Sequence, residues 1–369
     1  MRSCNILPLV VAVALGILAA GCTDVLPWAH PPAVYPAIVP VPGETVPSPP
    51  PFTFRFEDFS VTVEVPVDAA VYTGARRADK GARIFDQRIP ESEWRAGIYR
   101  ALMADPHQDG FFDNLLAVLR AVRESRGLDS DEYIELLSVF VQSIPYEDQQ
   151  SSDPRFPIEV WVDGAGDCDD KSLLLGSLLS RENYRTALLF FEKEGHMAVG
   201  VGCSGPGYAG TGYAYVETTN VTFVGVPPGE LAGGVRLTSV PLVIPVGEGT
   251  LNYTRCRETA ALAAAMGEME REIGLEKEQV RELEDALSEE KRELDAMRAS
   301  LEATAPRVAD AGYYSRVAAY NARVRDYNAQ RSRLLALLER HNLLVDRYNT
   351  LATHQYDRKG MVAFLASLR

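Results

Sequence analysis

The sequence predicts an α+β domain that is followed by a long antiparallel helical hairpin. Three observations predict this architecture. Apolar residues have helical spacing between residues 91 and 143, short strand patterns follow from residue 186, and apolar heptads extend from residue 259 to residue 348. Helices that precede an antiparallel sheet are typical of α+β domains. Sustained heptads are typical of coiled coils.

The first 21 residues predict a lipoprotein-type signal peptide. Arg2 is followed by an apolar run over residues 6–20 and by small residues before Cys22, which is the pattern of a secretory signal and not of a spanning helix. The cysteine directly after Gly21 indicates that Cys22 is lipidated. An ordinary cleaved signal is the alternative. We therefore expect an exported protein of the cell envelope, anchored through Cys22 on the outer face of the cytoplasmic membrane.

Residues 22–51 predict an extended tether. This segment is rich in proline, and such segments favour polyproline geometry and build no packed core. The tether would hold the folded part of the chain away from the membrane surface. We expect one domain over residues 52–255 and a helical hairpin over residues 256–369.

The elements of the domain begin with a predicted strand pair. Phe52, Phe54 and Phe56 alternate with polar residues, and a second alternation continues to residue 67, which is the period of a half-buried strand. Apolar spacing then predicts helices over residues 91–104, 110–125 and 129–143. A helix beginning near Cys168 follows, and short strands are predicted over residues 186–191, 196–202, 213–219 and 239–245.

Two heptad arms predict the hairpin. The first arm is rich in glutamate, the second is rich in arginine, and Pro306 lies between them. Opposite charge on two arms of similar length favours an antiparallel pair about 65 Å long. Pairing of the arms between two chains is the alternative, and the arm could serve as a spacer or as a docking site for a partner. The second arm repeats one residue every seven positions: Tyr313, Tyr320, Tyr327, Leu334, His341 and Tyr348.

The charge of the chain excludes one class of function. Its 51 acidic residues outnumber its 37 basic residues, so the net charge is −14. Nucleic-acid binding requires a basic patch or stripe on one face of the protein. We therefore expect no nucleic-acid partner.

One motif suggests nucleophilic chemistry. Gly166-Asp167-Cys168 opens an apolar helix, His196 begins a later strand, and Glu217 lies in the strand after that. A helix N-terminus and a nearby imidazole both lower the pKa of a thiol, which attacks only as thiolate. Asp167, Asp169 and Asp170 oppose this effect because negative charge raises the pKa. The structural alternatives are a buried cysteine, a core histidine and a solvent-facing glutamate.

At these residues the sequence resembles the transglutaminase-like superfamily of papain-type thiol folds. The likeness covers about residues 130–222 and includes the stretch 140–148 before the nucleophile. It implies that Cys168 is the nucleophile, His196 the general base and then acid, and Glu217 the orienting acid, where the family usually has Asp. It also implies a papain/transglutaminase-like core within residues 52–255, in which a nucleophile helix packs on an antiparallel sheet.

The oxyanion donor is not fixed by the resemblance. Gln142 and Tyr146 are the nearest polar side chains upstream, and the backbone N–H of Cys168 is the preferred candidate. A metal site built from Asp163, Asp167, Asp170 and His196 matches no known ligand spacing. We therefore expect neither a metal nor a cofactor.

The expected function is cysteine-dependent acyl transfer from an amide of a protein or peptide substrate. Water as the acceptor would make the protein a peptidase or amidase, and an amine would make it a transglutaminase. The alternative is an inactive envelope scaffold that binds through the fold and the coiled-coil arm. Cys203 and Cys256 remain outside this chemistry, and they form either a disulfide or two separate buried thiols.

Overall fold

The structure is a computed structural model that describes residues 32–147, 153–231, 234–305, 308 and 310–368. The predicted signal peptide and Cys22 lie outside the described residues. The helices are α1 (Ala69–Arg77), α2 (Glu91–Ala104), α3 (Asp109–Arg126), α4 (Ser130–Ser143), α5 (Pro157–Asp163), α6 (Cys168–Arg181), α7 (Cys256–Ala303), α8 (Ala311–Thr353) and α9 (Arg358–Ser367). The strands are β1 (Ala33–Val34), β2 (Phe52–Phe56), β3 (Phe59–Val63), β4 (Arg83–Ile84), β5 (Arg185–Phe191), β6 (His196–Gly202), β7 (Tyr213–Val216) and β8 (Leu242–Glu248).

The mixed α+β class predicted from the sequence is confirmed. Helices α2, α3 and α4 lie within one residue of the predicted ranges, and β2 and β3 form the predicted antiparallel strand pair. The sequence did not predict α1, α5 and α9. Strand β7 ends at Val216, before the predicted limit, because the carboxylate of Glu217 accepts hydrogen bonds from the Thr218 and Thr219 N–H groups and turns the chain.

A four-stranded antiparallel sheet lies at the centre of the domain, in the order β7-β6-β5-β8. Helix α6 packs its leucines on one face, where they join the main hydrophobic core with Leu188, Met197 and Val199. The opposite face carries a smaller apolar cluster that includes Phe191 and Tyr215. The start of β6 and the end of β7 lie at the same edge of the sheet because the two strands are antiparallel, and residues there bind the first turns of α6.

The predicted tether packs against the domain over its described part, residues 32–51. Strand β1 pairs with β4, and Ile38 is only 2 % exposed. The Ile38 N–H donates to the buried carboxylate of Asp105 over 2.7 Å. Because this contact buries an apolar side chain and satisfies a backbone donor, residues 32–51 lie along the domain and do not stand free of it.

Helices α7 and α8 pack side by side as an antiparallel hairpin. Arg323 pairs with Glu290 at 2.7 Å, and Arg340 pairs with Glu276. The arginine that is later in the sequence therefore pairs with the earlier glutamate, as expected for two antiparallel helices. Glu276 is buried in the seam with His341 3.6 Å away. Helix α7 has 48 residues, which corresponds to about 72 Å. Each helix within the described ranges is too short or too polar to cross a lipid bilayer.

The base of the hairpin is tied to α4 by α9. Arg358, the first residue of α9, donates to the buried carboxylate of Glu135 over 2.5 Å and also binds Glu258 at the start of α7. The Tyr253 hydroxyl donates to the same Glu135 oxygen over 2.6 Å. One buried carboxylate therefore joins the domain, α7 and α9.

Candidate active site

Cys168 occupies the position that the sequence predicts, because it is the first residue of α6. The Asp167 side chain caps this helix by accepting from the Asp170 N–H over 3.1 Å. Asp170 faces away from the thiol, since its two oxygens accept from the backbone and side chain of Arg155 at 2.7 and 2.8 Å. The capping residue and the ion pair together hold the first turn of α6 in place.

Hydrogen bonds join this turn to β6 and to the loop after β7. The Ser172 hydroxyl donates to the Met197 carbonyl over 3.2 Å and lies 3.1 Å from the Thr218 hydroxyl. Thr218 in turn donates to the Cys168 carbonyl over 3.4 Å. The Met197 backbone also hydrogen-bonds to the Cys168 thiol. This hydrogen bond holds the thiol at the start of β6, where His196 directly precedes Met197.

His196 and Glu217 form a buried pair. The His196 Nε2 lies 3.3 Å from the Glu217 Oε2, and both residues are buried. Strand register explains this contact, because Gly200 lies opposite Tyr215 and continued alternation places His196 and Glu217 on one face. With Nε2 engaged by the carboxylate, Nδ1 is the ring nitrogen that can accept a proton.

Tyr215 contacts both His196 and Glu217, and the sequence did not lead us to expect it among the site residues. Its hydroxyl donates to the Glu217 Oε2 over 2.6 Å and lies 3.1 Å from the His196 Nε2. The spacing of the two residues indicates that they are neighbours, because Tyr215 precedes Glu217 by two residues and therefore lies on the same face of the strand. The hydroxyl fixes both the carboxylate and the imidazole.

The site keeps Glu217 ionised although it is buried. Burial alone would raise its pKa, but hydrogen bonds from His196, Tyr215 and Thr219 lower the pKa to about 2. The second oxygen, Oε1, accepts from the Thr218 N–H, the Thr219 N–H and the Thr219 hydroxyl at 2.7 to 3.0 Å. A permanent negative charge therefore faces the imidazole, which favours the imidazolium that forms when His196 accepts a proton.

The thiol itself is not acidic in this structure. Burial and then the charge of Asp169 raise the pKa of Cys168 to about 12, with smaller contributions from Asp167 and Glu217 and a lowering contribution from the Met197 backbone. Burial and a hydrogen bond with Asp169 also raise the pKa of Asp167 to about 7. The lowered thiol pKa expected from the helix N-terminus is therefore absent, because desolvation and carboxylate charge outweigh the helix dipole.

Gln142 does not have the role of an oxyanion donor. Its side-chain NH2 donates to the carbonyls of Glu217 and Thr222 at 2.9 and 3.1 Å, so both amide hydrogens are already used. Gln142 instead fixes the loop that carries Glu217. Tyr146 is 41 % exposed and its backbone pairs with Gly166 in the loop before the nucleophile. Tyr146 and the backbone N–H of Cys168 remain the oxyanion candidates.

Lys171 is a buried cation near the site. The sequence did not predict its burial. Its side chain is fully buried, and its Nζ donates to the Ile144 and Gln142 carbonyls at 2.6 and 3.2 Å. These carbonyls end α4, where helical acceptors lack partners. Burial lowers the pKa of Lys171 to about 8. The lysine thus joins the end of α4 to α6, one turn beyond Cys168.

The acidic residues around the thiol do not form the metal site considered from the sequence. Asp163 instead binds Tyr72, Arg76 and Arg155. The carboxylate oxygens of Asp167, Asp169 and Asp170 lie within 4.8 Å of one another, but Arg155 already neutralises Asp170. These contacts carry no argument for a bound cation.

Cys168, His196 and Glu217 thus converge from the start of α6, the start of β6 and the end of β7, and Tyr215 joins them. A thiol, an imidazole and a charged carboxylate that contacts the imidazole are the groups that nucleophilic catalysis by cysteine requires. Comparison with protein-family models, with curated protein sequences and with solved structures finds no match for this chain.

Proposed function

We propose that the chain is a cysteine-dependent enzyme that transfers the acyl group of a protein or peptide amide. The observation that carries this proposal is the buried, ionised Glu217, which engages the His196 Nε2. The backbone of the next residue, Met197, hydrogen-bonds to the Cys168 thiol at the N-terminus of α6. Five hydrogen-bond donors keep this carboxylate charged in a buried position, so it can hold the imidazole in one orientation. The resemblance of residues 130–222 to the transglutaminase-like superfamily supports the same chemistry and a papain-like core.

The reaction has two stages. His196 Nδ1 takes the thiol proton as the Cys168 sulfur attacks the amide carbonyl carbon, and the imidazolium then gives this proton to the departing amine nitrogen. The products are a free amine and a thioester. His196 next removes a proton from water or from an amine as this acceptor attacks the thioester carbonyl carbon. The C–S bond then breaks, the imidazolium gives its proton to the sulfur, and the acyl group leaves as an acid or as a new amide. Because the thiol pKa is about 12, proton transfer accompanies the attack and no thiolate is present beforehand.

The proposed cellular location of the enzyme is inferred from its sequence. A lipid anchor at Cys22 would place the domain at the cell envelope, where peptides and proteins of the envelope are the accessible amides. Hydrolysis is the preferred reaction and crosslinking to an amine the second. The hairpin would serve as a spacer, as a docking arm or as a site of self-association.

A screen of amide substrates tests the proposal. The full-length protein in detergent is incubated with blocked peptides that release aminocoumarin on hydrolysis, with and without dansylcadaverine as an amine acceptor. We expect turnover that Cys168→Ala abolishes and that Cys256→Ala, a matched thiol variant, retains. Dansyl incorporation would identify an amine as the acceptor. Equal turnover by the wild type and Cys168→Ala would contradict the proposal.

A second candidate function is a non-enzymatic envelope scaffold. The observation that favours it is the thiol pKa of about 12, which burial and Asp169 cause. An inert thiol of this kind is typical of a structural cysteine. In that case the hairpin would carry the binding function and the Cys168 variants would not alter any property of the protein except stability.

Tyr215→Phe is expected to lower kcat about 10–100-fold with little change in KM, because the hydroxyl fixes His196 and Glu217 without facing the substrate. Steady-state kinetics measure kcat and KM separately and so check the expected split. Tyr208→Phe is the matched control, because its ring packs 5.3 Å from that of Tyr215. Equal losses in both variants would contradict a positioning role.

A further inference from the structure

Two cysteines meet where the sheet joins the hairpin. Cys203 directly follows β6, and Cys256 is the first residue of α7. The backbone of Cys203 pairs with Tyr253, whose N–H donates to the Gly202 carbonyl over 2.8 Å. This pairing fixes the chain just before α7 against the end of β6, so the two cysteines approach each other from segments that are distant in sequence.

The two side chains are in contact. Both are present as free thiols, and a hydrogen bond joins the Cys256 thiol to the Cys203 thiol. Each sulfur also lies 4.0 Å from a nearby backbone carbonyl, that of Gly205 for Cys203 and that of Tyr253 for Cys256. Cys203 is buried and Cys256 is half-buried. The local backbone therefore holds the two sulfurs together and away from most of the solvent.

We propose that Cys203 and Cys256 form a disulfide bond that fastens the first turn of the hairpin to the central sheet. Two thiols lose two protons and two electrons, and a dissolved disulfide such as oxidised glutathione accepts them and becomes two thiols. This modification is independent of the proposed acyl transfer, because neither sulfur belongs to the site around Cys168. Formation of the bond is favoured in an oxidising compartment, where an exported protein resides.

The position of the bond gives it a mechanical role. It closes a loop over residues 204–255, which contains β7 and β8 and therefore both edge strands of the central sheet. A crosslink across a long loop limits the freedom of the unfolded chain and stabilises the folded one. Because burial and the neighbouring thiol raise the pKa of Cys256 to about 12, exchange with outside thiols is expected to be slow once the bond has formed.

Peptide mapping tests the bond directly. The full chain is exported and isolated without reductant, its free thiols are blocked with N-ethylmaleimide in denaturant, and it is digested with trypsin. The expected product is peptide 194–236, which contains Cys203, joined to the dipeptide 256–257 with the loss of two hydrogens. Peptide 156–171 contains Cys168 and should carry N-ethylmaleimide. Blocked Cys203 and Cys256, or a bond from either to another cysteine, would overturn the proposal.

Thermal unfolding tests the mechanical role. Dithiothreitol should lower the Tm of the oxidised wild type by about 5–10 °C, and it should leave the Tm of Cys256→Ser unchanged. Cys168→Ser is the matched control, because it removes a thiol outside the pair and should keep the response to reductant. An oxidised wild type whose Tm does not change on reduction would overturn the claim that the bond fastens the hairpin. The peptide map of the wild type remains decisive if a variant fails to fold.

Discussion

Replacement of Glu217 by glutamine is expected to lower kcat about 10³–10⁴-fold. Glu217 is fully buried and holds the His196 Nε2 from 3.3 Å, whereas an amide carries no charge to stabilise the imidazolium. If its NH2 group took the place of Oε1, it would face the Thr218 and Thr219 N–H groups, where only an acceptor fits. Because the side chain does not face the substrate, KM should change little. Steady-state kinetics on the amide identified by the substrate screen measure both constants.

Glu194→Gln is the matched control for this loss. Glu194 lies two residues before His196, and its carboxylate also accepts several hydrogen bonds, from Thr238 and Ser239. It does not contact the imidazole, so kcat should remain within about threefold of the wild type. A similar loss in both variants, or a Glu217→Gln protein that retains full activity, would show that Glu217 does not orient the base.

Arg358→Ala is expected to destabilise the domain by about 3–5 kcal/mol at about pH 8, because it leaves the buried Glu135 without its cation. Burial already raises the pKa of Glu135 to about 7, although Arg358 and Tyr253 act to lower it. Glu135 is therefore largely protonated at about pH 5 and ionised at about pH 8, so the variant should lose less stability at the lower pH. Urea unfolding at the two pH values measures the difference.

Two variants make this prediction specific. Lys359→Ala removes the next residue, whose ammonium pairs with Glu132 over 2.8 Å but is 63 % exposed, and it should cost less than about 1 kcal/mol. Arg358→Met combined with Glu135→Leu removes both buried charges and should recover most of the loss. A loss in Arg358→Ala that is the same at both pH values would contradict the account of Glu135.

Much of the fold follows from the sequence because its patterns are local. The helices α2 to α4 arise from apolar spacing, and the order of Cys168, His196 and Glu217 along the chain agrees with their convergence in the structure. The contact between Arg358 and Glu135 joins residues more than two hundred positions apart, so no periodicity could reveal it. The packing of residues 32–51 depends similarly on the distant Asp105, and the proline content of this segment predicts only an extended backbone.

The site was predictable in its members but not in its electrostatics. The sequence shows both the helix N-terminus and three carboxylates beside Cys168, and these have opposite effects on the thiol pKa. Their balance depends on how deeply the thiol is buried and on where each carboxylate points, since Asp170 faces Arg155 and Asp169 faces the thiol region. Sequence patterns give neither the burial of the thiol nor the orientation of each carboxylate. The sequence places Tyr215 on the same strand face as Glu217, but it does not show that the Tyr215 hydroxyl reaches both Glu217 and His196.

The most direct test of the account is the rate at which iodoacetamide alkylates Cys168 in the wild type, Asp169→Asn and Glu217→Gln. The rate is followed in peptide 156–171 between about pH 5 and pH 10. Each variant removes one negative charge that raises the thiol pKa, and the charge of Asp169 contributes more than that of Glu217. Only Glu217 also holds His196.

We predict that Asp169→Asn reacts about tenfold faster and that Glu217→Gln reacts more slowly than the wild type near neutral pH. Faster alkylation in both variants would show that Cys168 reacts without help from His196, and would contradict the proposed acyl transfer.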